Sequence, residues 1–293
     1  NFSMTYPVLP VPAAEFPALL REIPQPPTSL TYRGALPPPE LSLLTVVGSR
    51  QYTSYGKQVV DHLINGLRGY PVGIVSGLAL GIDALAHEAA LRNNLYTLAV
   101  PGSGLNDDVL YPRTNRRLAQ RILESGGGLL SEFPPETAAA VWTFPQRNRI
   151  MAGITPATLV VEASEKSGTL ITARMCVDYN RELLVVPGNI FSRSSLGPHQ
   201  FLKLGATPIT ASEDILAVLG IDPQPDRTVA KIHEHKDLSA DEQLILNTLI
   251  EPTDRDTLLR KTGIAPSIGN TLLMSLELKG YLVNEHGHYR AVI

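Results

Sequence analysis

The feature that most restricts this chain is a beat. From Leu41 onward, short runs of apolar and β-branched residues alternate with longer amphipathic segments. The runs are LSLLTVV (41–47), VGIVS (72–76), YTLAV (96–100), GLLSEF (128–133), TLVVEA (158–163) and ELLVVPG (182–188). Between them lie GKQVVDHLINGLRG, DALAHEAALRNN, TNRRLAQRILES and GTLITARMCVDYNR, whose apolar residues recur at helical spacing. Such alternation predicts βαβ units around a mostly parallel sheet. Runs that are apolar throughout agree, because helices cover both faces of a parallel sheet. The predicted fold class is therefore α/β, with a doubly wound, mostly parallel, extended Rossmann-like sheet over 41–220.

The flanks have other rhythms. Residues 1–40 are proline-rich (YPVLPVP, IPQPP, LPPP) with one short helical candidate, AEFPALLREI, and read as an N-terminal arm packed on something else. Residues 221–237 combine two prolines with dense charge and read as a linker. In 238–293, Ser239 and Glu242 form a capping box ahead of SADEQLILNTLI. RDTLLRKTG, SIGNTLLMSLELKG and a hairpin over YLVNEHGHYRAVI, turning at His286 and Gly287, follow. Three helices and a hairpin outline a small C-terminal winged-helix domain.

Composition narrows the partners. The formal charge of −3 gives no global field that would draw in a polyanion, so a nucleic-acid binder of this composition must use a local patch. The one cysteine, Cys176, lies in an apolar run, which offers neither a disulfide framework nor metal-ligand spacing. A reducing, cytoplasmic setting is expected. No run approaches the ~18 apolar residues of a membrane span, and no membrane partner is expected.

In open parallel sheets ligands bind beyond the carboxyl ends of the strands. Here those ends are polar or glycine-rich: Gly48-Ser49-Arg50, SGLALGID from Ser76 to Asp83 (with Gly77 and Gly81), PGSG from Pro101, and Ser167-Gly168-Thr169 at a helix start. Each is a plausible anion cradle, and each is equally readable as a tight βα turn. No P-loop is present, since Gly56-Lys57 is followed by Gln58, and no G-x-G-x-x-G follows a strand. No nucleotide cofactor is expected.

FPQRNRIMAG (144–153) is a local cationic cluster beside an aromatic. Arginine presents a planar fork to phosphate and stacks on bases. Phe144 is readable as a stacking platform or as core, while Arg116, Arg117 and Arg121 fall at helical spacing and read as a solvated face. Asp83 and His87, at i and i+4 with Glu88 adjacent, would permit acid/base or metal work, but Asp83 reads better as a helix cap. No catalytic constellation and no metal site emerges.

These pieces, in this order, resemble the DprA/Smf family of bacterial DNA-processing proteins. The matching stretches are VVGSR (46–50), IVSGLALGIDALAH (74–87), LYP then TN (110–115), LLSEFPP (129–135), FPQRNRIMAG (144–153), VVEASEKSGTLITAR (160–174) and LLVVPG (183–188), with FPALLREIPQPPTSLTYRG (16–34) ahead of them. The resemblance implies a non-enzymatic single-stranded DNA binder that protects incoming DNA in natural transformation, helps load RecA recombinase and forms a homodimer. It implies DNA contacts at Gly48, Ser49, Arg50, Arg113, Asn115, Phe144, Arg147, Asn148 and Arg149. Phosphate-holding turns are implied at Ser76, Gly77, Gly81, Ser167, Gly168 and Thr169.

Three departures bear on that expectation. Leu80 stands where the family often has Arg or Lys, Val141 where some members are basic, and Asp107 and Asp108 lie near Arg113. The alternative is a Rossmann-like enzyme that binds nucleotides or hydrolyses nucleoside monophosphates, which would have to draw on Glu162, Glu165 or Asp83. The third helix of the C-terminal domain carries one cation, Lys279, so a protein-contact role is expected there rather than strong duplex binding.

Overall fold

The computed structural model describes residues 6–223, 238–249, 253–279, 281–285 and 287–291. They divide into two compact units, Asn1–Gln224 and Pro225–Ile293.

In the first unit the apolar runs become strands buried on both faces. In β3 (Ser42–Val47), Leu44 and Val46 join one core while Leu43 and Val47 join another. The same two-residue period splits β4 (Val72–Ser76), β7 (Ala157–Val160) and β8 (Glu182–Val185) between those cores. That period is the pleat, and two buried faces explain the continuous apolar runs. With β5 (Thr97–Ala99), β6 (Gly128–Ser131) and β9 (Thr207–Pro208), these strands pair in parallel.

Helices α2 (Ser54–Gly66), α3 (Ile82–Arg92) and α8 (Ser212–Val218) supply one core. Helices α1 (Ala18–Arg21), α5 (Thr143–Ile154), α6 (Thr169–Asp178) and α7 (Leu196–Lys203) supply the other. Helix α4 (Arg116–Glu124) covers a third cluster near β6. The doubly wound, mostly parallel sheet expected from sequence is what forms.

The arm lies on the sheet itself. Strands β1 (Leu9–Pro10) and β2 (Thr31–Gly34) extend it by antiparallel pairing, β2 against β6, giving the order β1-β2-β6-β5-β4-β3-β7-β8-β9. They cover an edge whose backbone groups would otherwise stand open. Arg33 of β2 is buried; it donates to the Tyr6 and Leu105 carbonyls and pairs with Asp107 at 2.6 Å. The arrangement puts the reversal of strand order between β3 and β7, neighbours in space whose successors run in opposite directions.

In the second unit, α9 (Ala240–Thr248), α10 (Arg255–Thr262) and α11 (Pro266–Leu278) pack around Ile245, Leu258, Leu273 and Leu276. Strands β11 (Leu282–Glu285) and β12 (His288–Ala291) form the hairpin, and β10 (Thr253–Asp254) pairs with β12. The capping box is present: Ser239 accepts from the Glu242 N–H, and Glu242 accepts from the Ser239 N–H at 2.8 Å. This is the winged-helix outline. Of the expected linker, 224–237 lie outside the described residues, as does His286 of the expected turn.

Candidate nucleic-acid interface

A pocket of about 500 Å³ opens where the strand order reverses, the place where open α/β sheets bind ligands. Its walls are the Gly48–Gln51 turn after β3, the Ser164–Thr169 loop after β7, and one face of α5. That face is Phe144, Arg147, Asn148 and Met151, spaced i, i+3, i+4 and i+7 as one side of a helix requires. Pro145 is tolerated because it sits in the first turn, where the missing N–H has no partner to lose. Thr143 fixes the helix start, donating to the Gly102 carbonyl at 2.6 Å.

The arginines separate by depth. Arg50 is exposed, and its guanidinium lies over the Phe144 ring at 5.3 Å from the centroid. Arg113 is exposed just beyond Pro112 and has no ion pair among the described residues. Asp107 pairs with Arg33 at 2.6 Å.

Arg147 is buried and donates to the carbonyls of Gly77 and Val100, with Nε on the Asn148 side-chain oxygen at 3.1 Å. Burial brings its pKa down to about 10, opposed by the nearby Asp83, so it stays charged at neutral pH. Arg149 points off the pocket face, as i+2 from Arg147 dictates. It forms a buried ion pair with Glu132, to which Gln146 also donates. Glu132 is nonetheless pushed up by burial. The structure therefore does not place Arg149 as a DNA contact: it ties α5 to the end of β6.

The turns also divide. Ser76 is buried and donates to the Val46 carbonyl at 2.7 Å, and the Gly77 N–H donates to Asp83 at 3.1 Å. A Cβ on Gly77 would collide with the Arg147 guanidinium and the Asp83 carboxylate. Gly81 takes φ 81° and packs against the Ser49–Arg50 backbone, where a side chain would collide. Ser76, Gly77 and Gly81 thus hold the loop behind the pocket and are not among the residues that line it.

Asp83, expected as a helix cap, braces this loop from within α3, and burial raises its pKa. Asn115, expected on DNA, donates to the Leu78 and Ala79 carbonyls at 2.9 and 3.1 Å and fastens the same loop.

By contrast Ser167, Gly168 and Thr169 line the pocket, as do Gly48 and Ser49. The Thr169 hydroxyl donates to the Gly48 carbonyl at 3.0 Å and joins the two loops across the reversal point. The Ser49 hydroxyl donates to the Gln51 carbonyl at 2.6 Å within its own turn.

The roles of two residues escaped the sequence. Tyr111 packs its ring against Phe144, centroids 5.8 Å apart and planes at 55°. The signal available was an aromatic directly before Pro112 and two positions before an arginine. Glu162 is buried and accepts from the Thr53 hydroxyl at 2.6 Å, the Thr53 N–H at 3.0 Å and Ser194 at 3.1 Å, holding the end of β7 to the start of α2. Among the described residues no cluster of His, Cys, Asp and Glu could hold a metal ion.

The family model described as DNA recombination-mediator protein A matches residues 8–220, and that described as DprA winged helix domain matches 233–288. Protein Smf of Escherichia coli is 37% identical over 292 residues, covering 96% of this chain and 76% of its own length. DNA processing protein DprA of Streptococcus pneumoniae is 41% identical over 202 residues, 69% of this chain and 70% of its own. The solved DprA of Streptococcus pneumoniae covers 75% of this chain and 76% of its own, with TM-score 0.68 and 37% identity. DNA processing protein A of Helicobacter pylori, solved for its single-stranded DNA binding mode, covers 73% of this chain and 95% of its own, with TM-score 0.63 and 27% identity.

Proposed function

The chain belongs to the DNA recombination-mediator protein A family, and from that premise we propose that it is a single-stranded DNA-binding recombination mediator of natural transformation. It protects incoming single strands and helps load RecA recombinase onto them, acting in the cytoplasm as a homodimer. The observation that carries the reading is the pocket at the strand-order reversal, with exposed Arg50 at its lip, Phe144 behind it and the Ser167-Gly168-Thr169 turn opposite. Arg113 is exposed and directly follows Pro112, which lines the adjoining cleft. A local site of cations and rings suits a chain with no global positive field, because stacking and backbone charge together hold unpaired strands of any sequence. No described helix is long and apolar enough to cross a membrane.

We read the chain as a binder rather than an enzyme. The two buried carboxylates that a nucleoside monophosphate hydrolase would draw on are engaged, Asp83 by the Gly77 N–H and Glu162 by Thr53 and Ser194. In the winged-helix unit Lys279 donates to Glu242 at 2.7 Å, while Ile268, Met274 and Leu278 of α11 are exposed. That surface favours a protein contact over a duplex.

Fluorescence anisotropy of a labelled oligothymidylate tests the reading. Binding at low salt is expected, with Arg50→Ala and Arg113→Ala each weaker and each lowering the log–log salt slope by about 0.7. Absence of binding at low salt, or turnover of nucleoside monophosphates by the purified chain, would overturn it.

A further inference from the structure

Phe144 is the aromatic that the sequence offers for stacking, yet its ring is packed on several sides. Arg50 lies over it, Tyr111 leans on it, and Gly102 approaches so closely that a Cβ there would strike the ring. Tyr111 is 45% exposed, and its neighbour in the same cleft, Leu80, is 47% exposed. We infer that Tyr111, backed by Phe144 and flanked by the apolar Leu80, is the open base-stacking face of this interface, taking one unpaired nucleobase of a single strand. The inference rests on the proposed single-stranded DNA binding and adds a residue and a role to it.

The ring geometry decides how the base sits. A base sandwiched between two rings needs them parallel and roughly 7 Å apart, twice the ~3.4 Å rise of a stacked strand. The Tyr111 and Phe144 rings are 5.8 Å apart at 55°, a corner rather than a slot. The base therefore lies on the outward face of Tyr111, with Phe144 fixing the angle of that ring. Leu80 and Pro112 line the same cleft and present apolar surface, which suits the face of a base and repels no particular one. Arg113, exposed two residues beyond Tyr111, is placed by the chain for the phosphate that follows. On this arrangement Phe144 is a positioning residue for both Arg50 and Tyr111.

The test uses the whole chain and an oligothymidylate carrying a single 2-aminopurine, with variants Tyr111→Ala, Tyr111→Leu, Tyr111→Phe and Arg50→Ala. Loss of one stacked base is expected to weaken binding about tenfold for both Ala and Leu. Their salt slope should stay that of the wild type, because no phosphate contact is removed, and 2-aminopurine quenching should fall. Tyr111→Phe should keep both affinity and quenching.

If Arg50→Ala weakens binding while Tyr111→Ala and Tyr111→Leu stay within twofold of wild type with unchanged quenching, the stacking role is wrong and the binding function stands. A reduced salt slope in Tyr111→Leu would also overturn it. If the wild type binds no single strand at low salt, both fall together.

Discussion

Arg147 and Arg50 line the same pocket, yet they should fail in opposite ways when replaced by alanine. Arg147 is buried and supplies charged donors to the Gly77 and Val100 carbonyls and to Asn148. A hydrogen bond to a charged group is worth about 1.5–3 kcal/mol net, and a buried acceptor left without a donor costs a comparable amount. Two carbonyls lose their donor, and the adjoining pocket lets water recover part of the loss, so about 4 kcal/mol is expected. For a domain of this size each kcal/mol moves Tm by about 2–4 °C, which places the Arg147→Ala midpoint roughly 10 °C below wild type.

Arg50→Ala removes an exposed side chain and one cation–π contact, about 0.5–1 kcal/mol, so its Tm should fall by no more than ~4 °C. Calorimetry and oligothymidylate anisotropy on the two variants separate the roles. Arg147→Ala should lose stability and binding together, with binding partly restored at 10 °C. Arg50→Ala should lose binding alone. An Arg147→Ala protein with wild-type Tm and abolished binding would refute the assignment of Arg147 to the pocket wall.

His87 is fully buried against Thr97, and burial brings its pKa down to about 3. The unfolded chain takes up that proton near 6.5 and the folded chain does not, so acidification from pH 7 to 5 should cost about 2 kcal/mol. Asp83 and Glu132, both raised by burial, shift the other way, so the His87 share is read as the flatter Tm-versus-pH curve of His87→Asn. A His87→Asn curve parallel to wild type between pH 5 and 7 would count against it.

Glu242 is held at about pKa 2, first by Lys279, then by Ser239 and Ser275. Its contribution is complete above pH ~4.5 and lost as pH falls toward 2. Hydrogen exchange in the intact chain should show α9 protection reduced about fivefold by Glu242→Ala at pH 7, the worth of a helix cap. Equal protection in the two proteins would refute it.

The fold was legible because burial on both faces of a parallel sheet leaves a pattern that single residues cannot hide. VGIVS at 72–76 became β4 with those bounds, and Ser239 with Glu242 became the capping box. The arm was not legible as sheet. Its two short strands are rich in proline and glycine neighbours, and only the partner edge of β6 makes them strands, a tertiary demand that local propensity does not carry. Likewise Thr45 and Thr158 interrupt apolar strands yet are fully buried, Thr45 because the Met151 carbonyl accepts its hydroxyl at 2.9 Å.

At the site, sequence located the neighbourhood and blurred the roles. Helical spacing already separates Arg147 from Arg149 by about 200°, so that two adjacent cations face different surroundings was readable in principle. Depth was not. Nothing in FPQRNR says that Glu132 waits for Arg149, or that the carbonyls ending β5 and beginning the loop after β4 need Arg147. Of the arginines assigned to DNA, Arg50 and Arg113 are the two left exposed and without an ion pair among the described residues. On the proposed reading, these two arginines predict a log–log salt slope of about 1.4 for a single strand. On that reading, rings rather than cations carry the larger share of the affinity.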